Sequence, residues 1–293
     1  MDFLLVGRSR FAQRRVLPAA AALPFGSTAV ASRRDGTDWR TLAARRPGLV
    51  HVSSANGDHA EAVLWALEHG NHVVVDKPAF LTLPEATAAV ALARASSLVL
   101  AEATCYAYHP MFAHARGLTF DGAVAVFTPP VPPDDFRHDR ARGGGAFADT
   151  GPYFASLGRV LWDAEPTRVE VIVGDRSADG LELSYSVLAG YPGGRTVVGR
   201  FGFTSGYRNS LHLLGPGTGA DFERPFSAPP DLSPTVRVSH DGASVSHRVA
   251  PADSMLLFLE QVLTAIRTGS REFDAPLLSD ARTRDLLARA AGA

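Results

Sequence analysis

The sequence predicts an α/β protein in two parts: an N-terminal doubly wound parallel sheet, followed by an α+β domain built on a mostly antiparallel sheet. In the first 104 residues, short apolar strands alternate with helical segments, which is the pattern that a parallel sheet requires. After Glu102, strand-like segments follow one another with few helices between them. We therefore expect one domain over residues 1–104 and a second over 105–293.

The composition limits the class of protein. The 293 residues are enough for two ordinary domains, and 29 basic against 30 acidic residues leave no net charge that favours a nucleic acid or an anionic membrane. Cys105 is the only cysteine, which excludes an intramolecular disulfide, and no apolar stretch approaches the roughly 20 residues of a membrane helix. We expect a soluble, cytoplasmic protein without a nucleic-acid or membrane partner.

The chain opens with a strand, a glycine turn and a helix. Residues 3–6 form a short apolar strand and 13–23 a helical segment, and the turn between them is Gly7, Arg8, Ser9, Arg10, Phe11 and Ala12. In a dinucleotide-binding unit the phosphates rest on the N-terminus of this first helix. Gly7 and Ala12 fit the first and last positions of the glycine fingerprint, but Ser9 replaces the second glycine, where the backbone approaches the pyrophosphate. Arg8 and Arg10 either contact phosphates or are solvated turn residues.

The second predicted strand, 27–31, ends at Ser32, Arg33 and Arg34. In the NAD-selective version of this unit an acidic residue here binds the ribose hydroxyls, whereas an arginine accommodates the extra phosphate of NADP. A planar guanidinium suits that phosphate and stacks on adenine. The sequence therefore favours NADP(H), with Arg33 as the residue that recognises the phosphate.

The last three strands of this domain are predicted at 49–53, 72–75 and 98–102, with helices at 58–69 and 83–95. Three consecutive valines, residues 73–75, are typical of a buried parallel strand. Pro78 ends that strand, because proline cannot donate to a sheet. Lys77 is therefore expected at the carboxyl edge of the sheet, where open α/β sheets bind ligands. On position alone, an ordinary surface lysine is the better explanation, and the rest of the chain changes that balance.

The second half is predicted to hold strands at 123–127, 168–173, 181–188, 196–203 and 236–239, and helices at 149–162, 252–268 and 279–290. Tyr153 lies four residues after Asp149, on the same face of the predicted helix. Asp149 binds a substrate hydroxyl, orients a partner or caps this helix. His109, ahead of a proline, either lines a pocket or is structural. Arg137, Arg140 and Arg142, beside the glycine run, either meet a diphosphate or are solvated loop residues.

The histidines do not indicate a metal site, because they fall on different predicted elements without the spacing of a ligand cluster: His51, His59, His69 and His72. No metal is expected.

Five segments in the right order resemble the oxidoreductases grouped with glucose-fructose oxidoreductase, inositol dehydrogenase and MocA. They lie at residues 7–19, 59–73, 76–78, 102–110 and 143–153. The similarity covers most of residues 1–163. The Arg-Arg-Val-Leu-Pro-Ala run at 14–19 and the Asp-Thr-Gly-Pro-Tyr step at 149–153 are most similar to the branch of nucleotide-sugar ketoreductases.

The resemblance implies a Rossmann domain and a mostly antiparallel domain, with the nicotinamide between them. It implies that Lys77 holds the catalytic lysine position and Tyr153 the position of a proton-donating tyrosine. Asp149, His109 and Tyr108 are then expected to bind substrate. The residues expected to bind the cofactor are Gly7, Arg8, Ser9, Arg10, Phe11, Ala12, Ser32, Arg33, Arg34, Ser53, Asn56, His59, Asp76 and Lys77. Asp76 stands where the family usually has glutamate.

Three functions remain open on the sequence. The first is an NADP(H)-dependent oxidoreductase that reduces the keto group of a nucleotide-linked sugar. The second is a dehydrogenase of a free sugar or cyclitol, or an imine reductase. The third is a catalytically silent nucleotide-binding sensor, which Ser9 favours and the presence of both Lys77 and Tyr153 opposes. The exposed face of a large antiparallel sheet is a common dimer surface, so a homo-oligomer, dimer or tetramer, is expected.

Overall fold

A computed structural model of the chain describes residues 1–32, 36–45 and 47–292. These residues form two compact units. The first contains residues 1–105, 141–143 and 255–281, and the second contains 106–140, 144–254 and the chain from 282 onward.

The first unit is built on a parallel sheet of five strands in the order β2-β1-β3-β4-β5. The strands are β1 (Phe3–Val6), β2 (Thr28–Ala31), β3 (Leu49–Val52), β4 (His72–Val75) and β5 (Leu100–Glu102). Its early helices are α1 (Leu17–Ala21), which continues a π-helical turn over Ala12–Val16, α2 (Trp39–Arg45), α3 (His59–Glu68) and α4 (Leu83–Ala95). Strand order reverses between β1 and β3, which is the point where doubly wound sheets bind their ligands.

The register brings the carboxyl ends of the central strands together. Val6 pairs with Val52, and Val52 pairs with Val75 on the next strand. The three valines of β4 are fully buried, as their sequence predicts. Residues that directly follow β1, β3 and β4 therefore lie side by side at one edge of the sheet.

Residues 255–281 group with the first unit, although the predicted boundary places them in the second domain. They comprise α7 (Ser254–Thr268) from its second residue and the first turns of α8 (Asp274–Ala290). Arg94 Nε donates to Asp274 at 2.6 Å, and Arg271 donates to the carbonyl of Leu98 at 2.8 Å. Leu277 and Ala281 pack in the same apolar core as the valines of β4. These long-range contacts cannot be read from local sequence.

The second unit is built on a sheet of eight strands in the order β13-β12-β11-β10-β6-β9-β8-β7. All neighbouring strands are antiparallel except β6 and β9. The strands are β6 (Gly122–Phe127), β7 (Arg168–Val173), β8 (Ser184–Tyr191), β9 (Arg195–Gly202), β10 (Asn209–Gly215), β11 (Thr218–Glu223), β12 (Thr235–His240) and β13 (Ala243–Arg248). The helices of this unit are α5 (Ala146–Asp149), α6 (Gly151–Trp162) and the end of α8. The predicted fold class is confirmed in both parts.

The pairing of β6, β9, β10 and β11 places several loops at one end of this sheet. Phe127 at the end of β6 pairs with Phe201 of β9 and with Asn209, the first residue of β10. Glu223, at the end of β11, pairs with the second residue of β10. The loops over 128–145, 203–208 and 224–234 therefore leave the sheet at the same end.

No helix among residues 1–32, 36–45 and 47–292 has the length and hydropathy needed to cross a lipid bilayer.

Candidate active site

Lys77 is the second residue after β4, at the carboxyl edge of the parallel sheet, and is half-buried. The peptide bond between Lys77 and Pro78 is cis. His59, the first residue of α3, lies 2.8 Å from the Pro78 carbonyl through Nδ1 and 3.3 Å from the Ser54 carbonyl through Nε2. Burial lowers the pKa of His59, although both carbonyls act in the opposite direction. The predicted cofactor residue His59 is thus a buried support for the loop that carries Lys77.

A chain of hydrogen bonds crosses the carboxyl ends of β1, β3 and β4. His51 Nε2 lies 2.8 Å from Asp76 Oδ1, and Ser53 Oγ donates to Asp76 Oδ2 at 2.5 Å. Ser9 Oγ lies 2.9 Å from Ser53 Oγ and accepts the backbone N–H of Ala12 at 2.9 Å. Four side chains from three strand ends are therefore joined.

The directions of these hydrogen bonds follow from the number of protons available. Ser53 has one hydroxyl proton, which goes to Asp76, so Ser53 accepts from Ser9 and Ser9 accepts from Ala12. Burial would raise the pKa of Asp76, but the hydrogen bond and charge of His51 and the hydrogen bond from Ser53 hold it below its usual value. Asp76 is therefore a carboxylate, and both of its oxygens accept hydrogen bonds from its neighbours in the sheet.

Ser9 acts as the N-cap of the first helix, since its hydroxyl accepts the N–H three residues later. Its side chain is turned toward Ser53, so the serine that breaks the glycine fingerprint joins the loop to β3. Gly7 shows why the first position of the fingerprint is kept: its φ is +105°, and a Cβ there would lie 2.3 Å from the Ser53 carbonyl oxygen. Only glycine fits this approach of β1 to β3.

The turn after β1 fits the phosphates of a dinucleotide. The N–H groups of Arg10 and Phe11 open the first helical turn and have no acceptor within the helix, and both residues are exposed. Ser32, at the end of β2, is buried. Asn56 is also buried and donates through Nδ2 to the Gly143 carbonyl at 2.9 Å, which ties the loop after β3 to the glycine run. Arg33 and Arg34, which are predicted to recognise the extra phosphate of NADP, lie outside the described residues.

In the second unit, the ring of Tyr153 is held by three aromatic residues. The ring centroids of Phe127, Phe226 and Tyr106 lie 4.6, 5.5 and 5.8 Å from that of Tyr153. Tyr106 is fixed in turn by a 2.8 Å hydrogen bond between its hydroxyl and Ser156 Oγ. Tyr153 itself is half-buried in the first turn of α6, at the end of the sheet where β6 finishes.

The position of Asp149 rules out the helix-capping role that the sequence suggested for it. It ends α5 rather than capping α6, because the helix is interrupted at Thr150. Its carboxylate is buried and pairs with Arg137 Nε at 2.8 Å, and Arg137 also bonds Asp135 at 3.0 Å. Although burial opposes it, the two carboxylates raise the pKa of Arg137. Arg137 is therefore held by two carboxylates of the same loop and helix and is only partly exposed.

His109 is buried and caps the short helical segment after it, accepting the N–H of Met111 through Nδ1 at 3.2 Å. This supports the structural alternative for His109. Tyr108 ends the preceding short helical turn, Cys105–Tyr108, and is half-buried.

Sequence reasoning missed the role of His51 and the carboxylate partners of Arg137. His51 was considered only as a metal ligand, yet it is fully buried and its Nδ1 has no hydrogen-bond partner among the described residues. The sequence feature that could have identified His51 is its position in β3, the neighbour of β4, which Asp76 directly follows. Arg137 had no such signal, because its partner is set by the folding of the loop.

Two family profiles match the chain in sequence. The oxidoreductase family with an NAD-binding Rossmann fold matches residues 3–104, and the GFO/IDH/MocA C-terminal domain matches residues 117–218. Two curated relatives are named dTDP-3,4-didehydro-2,6-dideoxy-alpha-D-glucose 3-reductase. The one from Streptomyces violaceoruber is 30% identical over 85% of this chain and 80% of its own length. The one from Saccharopolyspora spinosa is 29% identical over 92% and 87%.

The fold is also that of solved structures. A 3-ketoreductase from Actinomadura kijaniata, solved in complex with NADP and TDP-benzene, superposes with a TM-score of 0.89 at 24% identity, covering 99% of this chain and 98% of the other. The two relatives in sequence and the solved structure each match at least 85% of this chain. The chain belongs to the GFO/IDH/MocA family of oxidoreductases.

Proposed function

We propose that this protein is an NADP(H)-dependent ketoreductase that reduces the 3-keto group of a nucleotide-linked deoxysugar. The observation that carries the proposal is the full-length similarity to relatives that share one name, dTDP-3,4-didehydro-2,6-dideoxy-alpha-D-glucose 3-reductase. The chain retains both residues that such a reaction needs, Lys77 and Tyr153. A silent sensor has no use for a proton donor and a cation together.

The reaction adds a hydride to the carbonyl carbon and a proton to its oxygen. Reduced nicotinamide supplies the hydride when bound. Lys77, an ammonium on a supported loop, donates a hydrogen bond to the carbonyl oxygen and stabilises the negative charge that develops there. Tyr153 delivers the proton from its hydroxyl, with its ring held in position by three aromatic neighbours.

The cofactor site is proposed at the turn from Gly7 to Ala12. The free N–H groups of the first helical turn bind the pyrophosphate, with Arg8 and Arg10 at its sides. Ser32, Arg33 and Arg34 follow β2, where the adenosine ribose is bound in this fold, and the arginines favour NADP over NAD. Asp76, Ser53, Asn56 and His59 hold the surrounding loops in place through their hydrogen bonds.

Substitutions of the two proposed catalytic residues test the mechanism. Tyr153→Phe keeps the ring and its aromatic contacts but removes the hydroxyl, so we expect kcat to fall about 10²- to 10⁴-fold, the usual contribution of a positioned acid. Lys77→Ala should reduce kcat by about 10²-fold or more, as loss of an oxyanion donor does. Stopped-flow measurement of NADPH oxidation with a nucleotide-linked keto sugar gives both rates.

NADPH titration of the same variants is the control. Both variants should still bind NADPH, because neither change alters the turn from Gly7 to Ala12. Rates within about twofold of the wild type in both variants would remove Lys77 and Tyr153 from the mechanism.

We also propose that the protein works as a homo-oligomer in the cytoplasm. The outer face of the eight-stranded sheet exposes neighbouring apolar side chains: Ile172 is 76% exposed, Val198 47% and Leu188 45%. Leu188 and Val198 are direct partners across β8 and β9. Such a patch is what a symmetric dimer buries. Light scattering of the purified protein gives the mass; a monomer at micromolar concentration contradicts the proposal.

A further inference from the structure

Arg224 has a backbone conformation that is unusual for its side chain. Its φ is +50°, in the left-handed region. The other non-glycine residues with positive φ among those described are Ser97, Asp163 and Asp241. Asp163 caps the end of α6, and Asp241 begins the tight turn between β12 and β13. Short polar residues tolerate a positive φ because their side chains can hydrogen-bond the nearby backbone. The long side chain of Arg224 makes no such hydrogen bond to the described residues around it. Strain of this kind is often retained at functional sites.

The guanidinium of Arg224 has no hydrogen-bond or ion-pair partner in the described part of the chain. Its Nε is buried without an acceptor. Its Cζ lies 5.6 Å from the ring centroid of Tyr207, so the cation is stacked over this aromatic ring. Arg137, by contrast, has two carboxylate partners. A partly buried cation with unused donors is suited to an anionic ligand.

Arg224 and Tyr207 are both anchored by Asn209. The Asn209 carbonyl accepts the N–H of Arg224 at 3.2 Å, and its side-chain Nδ2 donates to the Tyr207 hydroxyl at 3.3 Å. Its Oδ1 accepts the N–H of Phe226 at 3.1 Å. Phe226 is one of the three aromatic residues that hold the ring of Tyr153.

The strand pairing places this cluster beside the proposed acid. Asn209 is paired with Phe127, and Phe127 has the shortest ring distance to Tyr153, 4.6 Å. Tyr207 precedes β10 and Arg224 follows β11, so both residues lie in loops at the end of the sheet where Tyr153 is found. The cation and the aromatic ring are therefore neighbours of the reacting group within the same unit.

We propose that Arg224 and Tyr207 bind the nucleoside diphosphate portion of the substrate. Arg224 donates to the diphosphate, and Tyr207, which is 40% exposed, offers its free ring edge and face to the base. A cation beside an aromatic ring matches a ligand in which a single pentose separates a diphosphate from a flat base. The inference rests on the proposed function, since it assigns residues to the nucleotide of that substrate.

Arg224→Gly tests the inference without endangering the fold. Glycine adopts a φ of +50° without strain, so the variant should melt at a temperature no lower than the wild type. We expect it to bind TDP about 10- to 100-fold more weakly, the range that corresponds to loss of a charge-assisted hydrogen bond. Isothermal titration calorimetry of the NADPH-loaded protein with TDP measures this. NADPH affinity should not change.

Arg116→Ala is the matched control. Arg116 is exposed and lies in the segment before β6, outside the cluster of Arg224, Tyr207 and Asn209, so the variant loses the same charge elsewhere in the same unit. It should bind TDP as the wild type does. Equal loss of TDP affinity in the two variants would show a general charge effect and overturn the inference.

The remaining outcomes separate this inference from the proposed function. Unchanged TDP affinity in Arg224→Gly, while the wild type binds TDP and reduces the keto sugar, overturns the role of Arg224 and leaves the function standing. Weaker NADPH binding with unchanged TDP binding assigns the cation to the cofactor and also overturns the inference. A wild type that binds NADPH but not TDP contradicts both.

Discussion

At the scale of single residues, Ser9 changes how the glycine fingerprint is interpreted. Its hydroxyl caps the first helix and bonds Ser53, which in turn bonds Asp76. The serine is therefore joined to the loop of Lys77 and also takes up one N–H of the first helical turn, that of Ala12. The N–H groups of Arg10 and Phe11 remain for the phosphates.

Restoring the glycine tests this role of Ser9. Ser9→Gly loses the hydrogen bond to Ser53 and part of the helix cap, so the free energy of unfolding should fall by about 1 kcal/mol. NADPH affinity should stay within about threefold of the wild type, because the N–H groups of Arg10 and Phe11 are unchanged. Urea denaturation and NADPH titration measure the two effects. NADPH binding that tightens tenfold would mean that the serine obstructs the pyrophosphate.

His59 makes stability depend on pH. Because burial lowers its folded pKa, the folded state binds a proton less readily than the unfolded chain. Stability from this group is therefore present above the unfolded pKa of about 6.5 and is lost as pH falls from there, by up to about 1.4 kcal/mol per pH unit. Burial also lowers the pKa of His72, which adds to the same trend.

The variant His59→Gln isolates the contribution of His59 to this trend. An amide keeps a donor for the Pro78 carbonyl but does not titrate. Urea midpoints at pH 7, 6 and 5 should fall less steeply for His59→Gln than for the wild type. Parallel pH profiles for the two proteins would show that His59 does not titrate in this range.

At the scale of elements, the glycine run before α5 is held by the pair of Arg137 and Asp149. The Arg137 carbonyl accepts the N–H of Gly145 at 2.8 Å, while its side chain bonds Asp149 at the end of α5. The backbone of Arg137 thus holds the start of the segment from Gly145 to Asp149, and its side chain holds the end. This segment leads directly to Tyr153, so its order matters for the proposed acid.

Arg137→Ala leaves the buried carboxylate of Asp149 without its main partner. Because Arg137 is partly exposed, we expect a loss of about 2 to 3 kcal/mol of stability, somewhat less than for a fully buried pair. The neighbouring Arg140→Ala should change stability by less than about 0.5 kcal/mol, as exposed sites usually do. Guanidinium denaturation measures both variants. Equal stabilities would show that the pair contributes nothing.

Elements with strong patterns were predicted well, and weakly patterned ones were missed. Strands β1 and β4 match their predicted ranges, because their apolar runs admit few alternatives. The strands β10, β11 and β13 and the helix α2 were not predicted. In β13 almost every residue is exposed, so no buried face marks the strand. Helix α8 begins at Asp274, five residues before its predicted start, because Pro276 was not recognised as a first-turn residue.

At the scale of the whole molecule, the family and the fold class follow from the sequence, and both predictions are confirmed. The candidate site was only partly accessible. Lys77 and Tyr153 were marked by motifs, whereas the partners of Asp76 and Asp149 depend on strand register and loop folding. The grouping of residues 255–281 with the first unit depends on contacts about 180 positions apart in sequence, such as that of Arg94 with Asp274.

The reaction proposed for this protein is the reduction of a nucleotide-linked keto sugar with NADPH. The most direct test is the rate of NADPH oxidation by the wild type with a TDP-linked 3-keto-6-deoxysugar, compared with the same free sugar and with NADH as the cofactor. We expect turnover with the TDP-linked sugar and NADPH, and a kcat/KM that is at least about tenfold lower when either the nucleotide or the cofactor phosphate is missing. Equal rates on the free sugar, or tight NADPH binding without any reduction of the TDP-linked sugar, would contradict it.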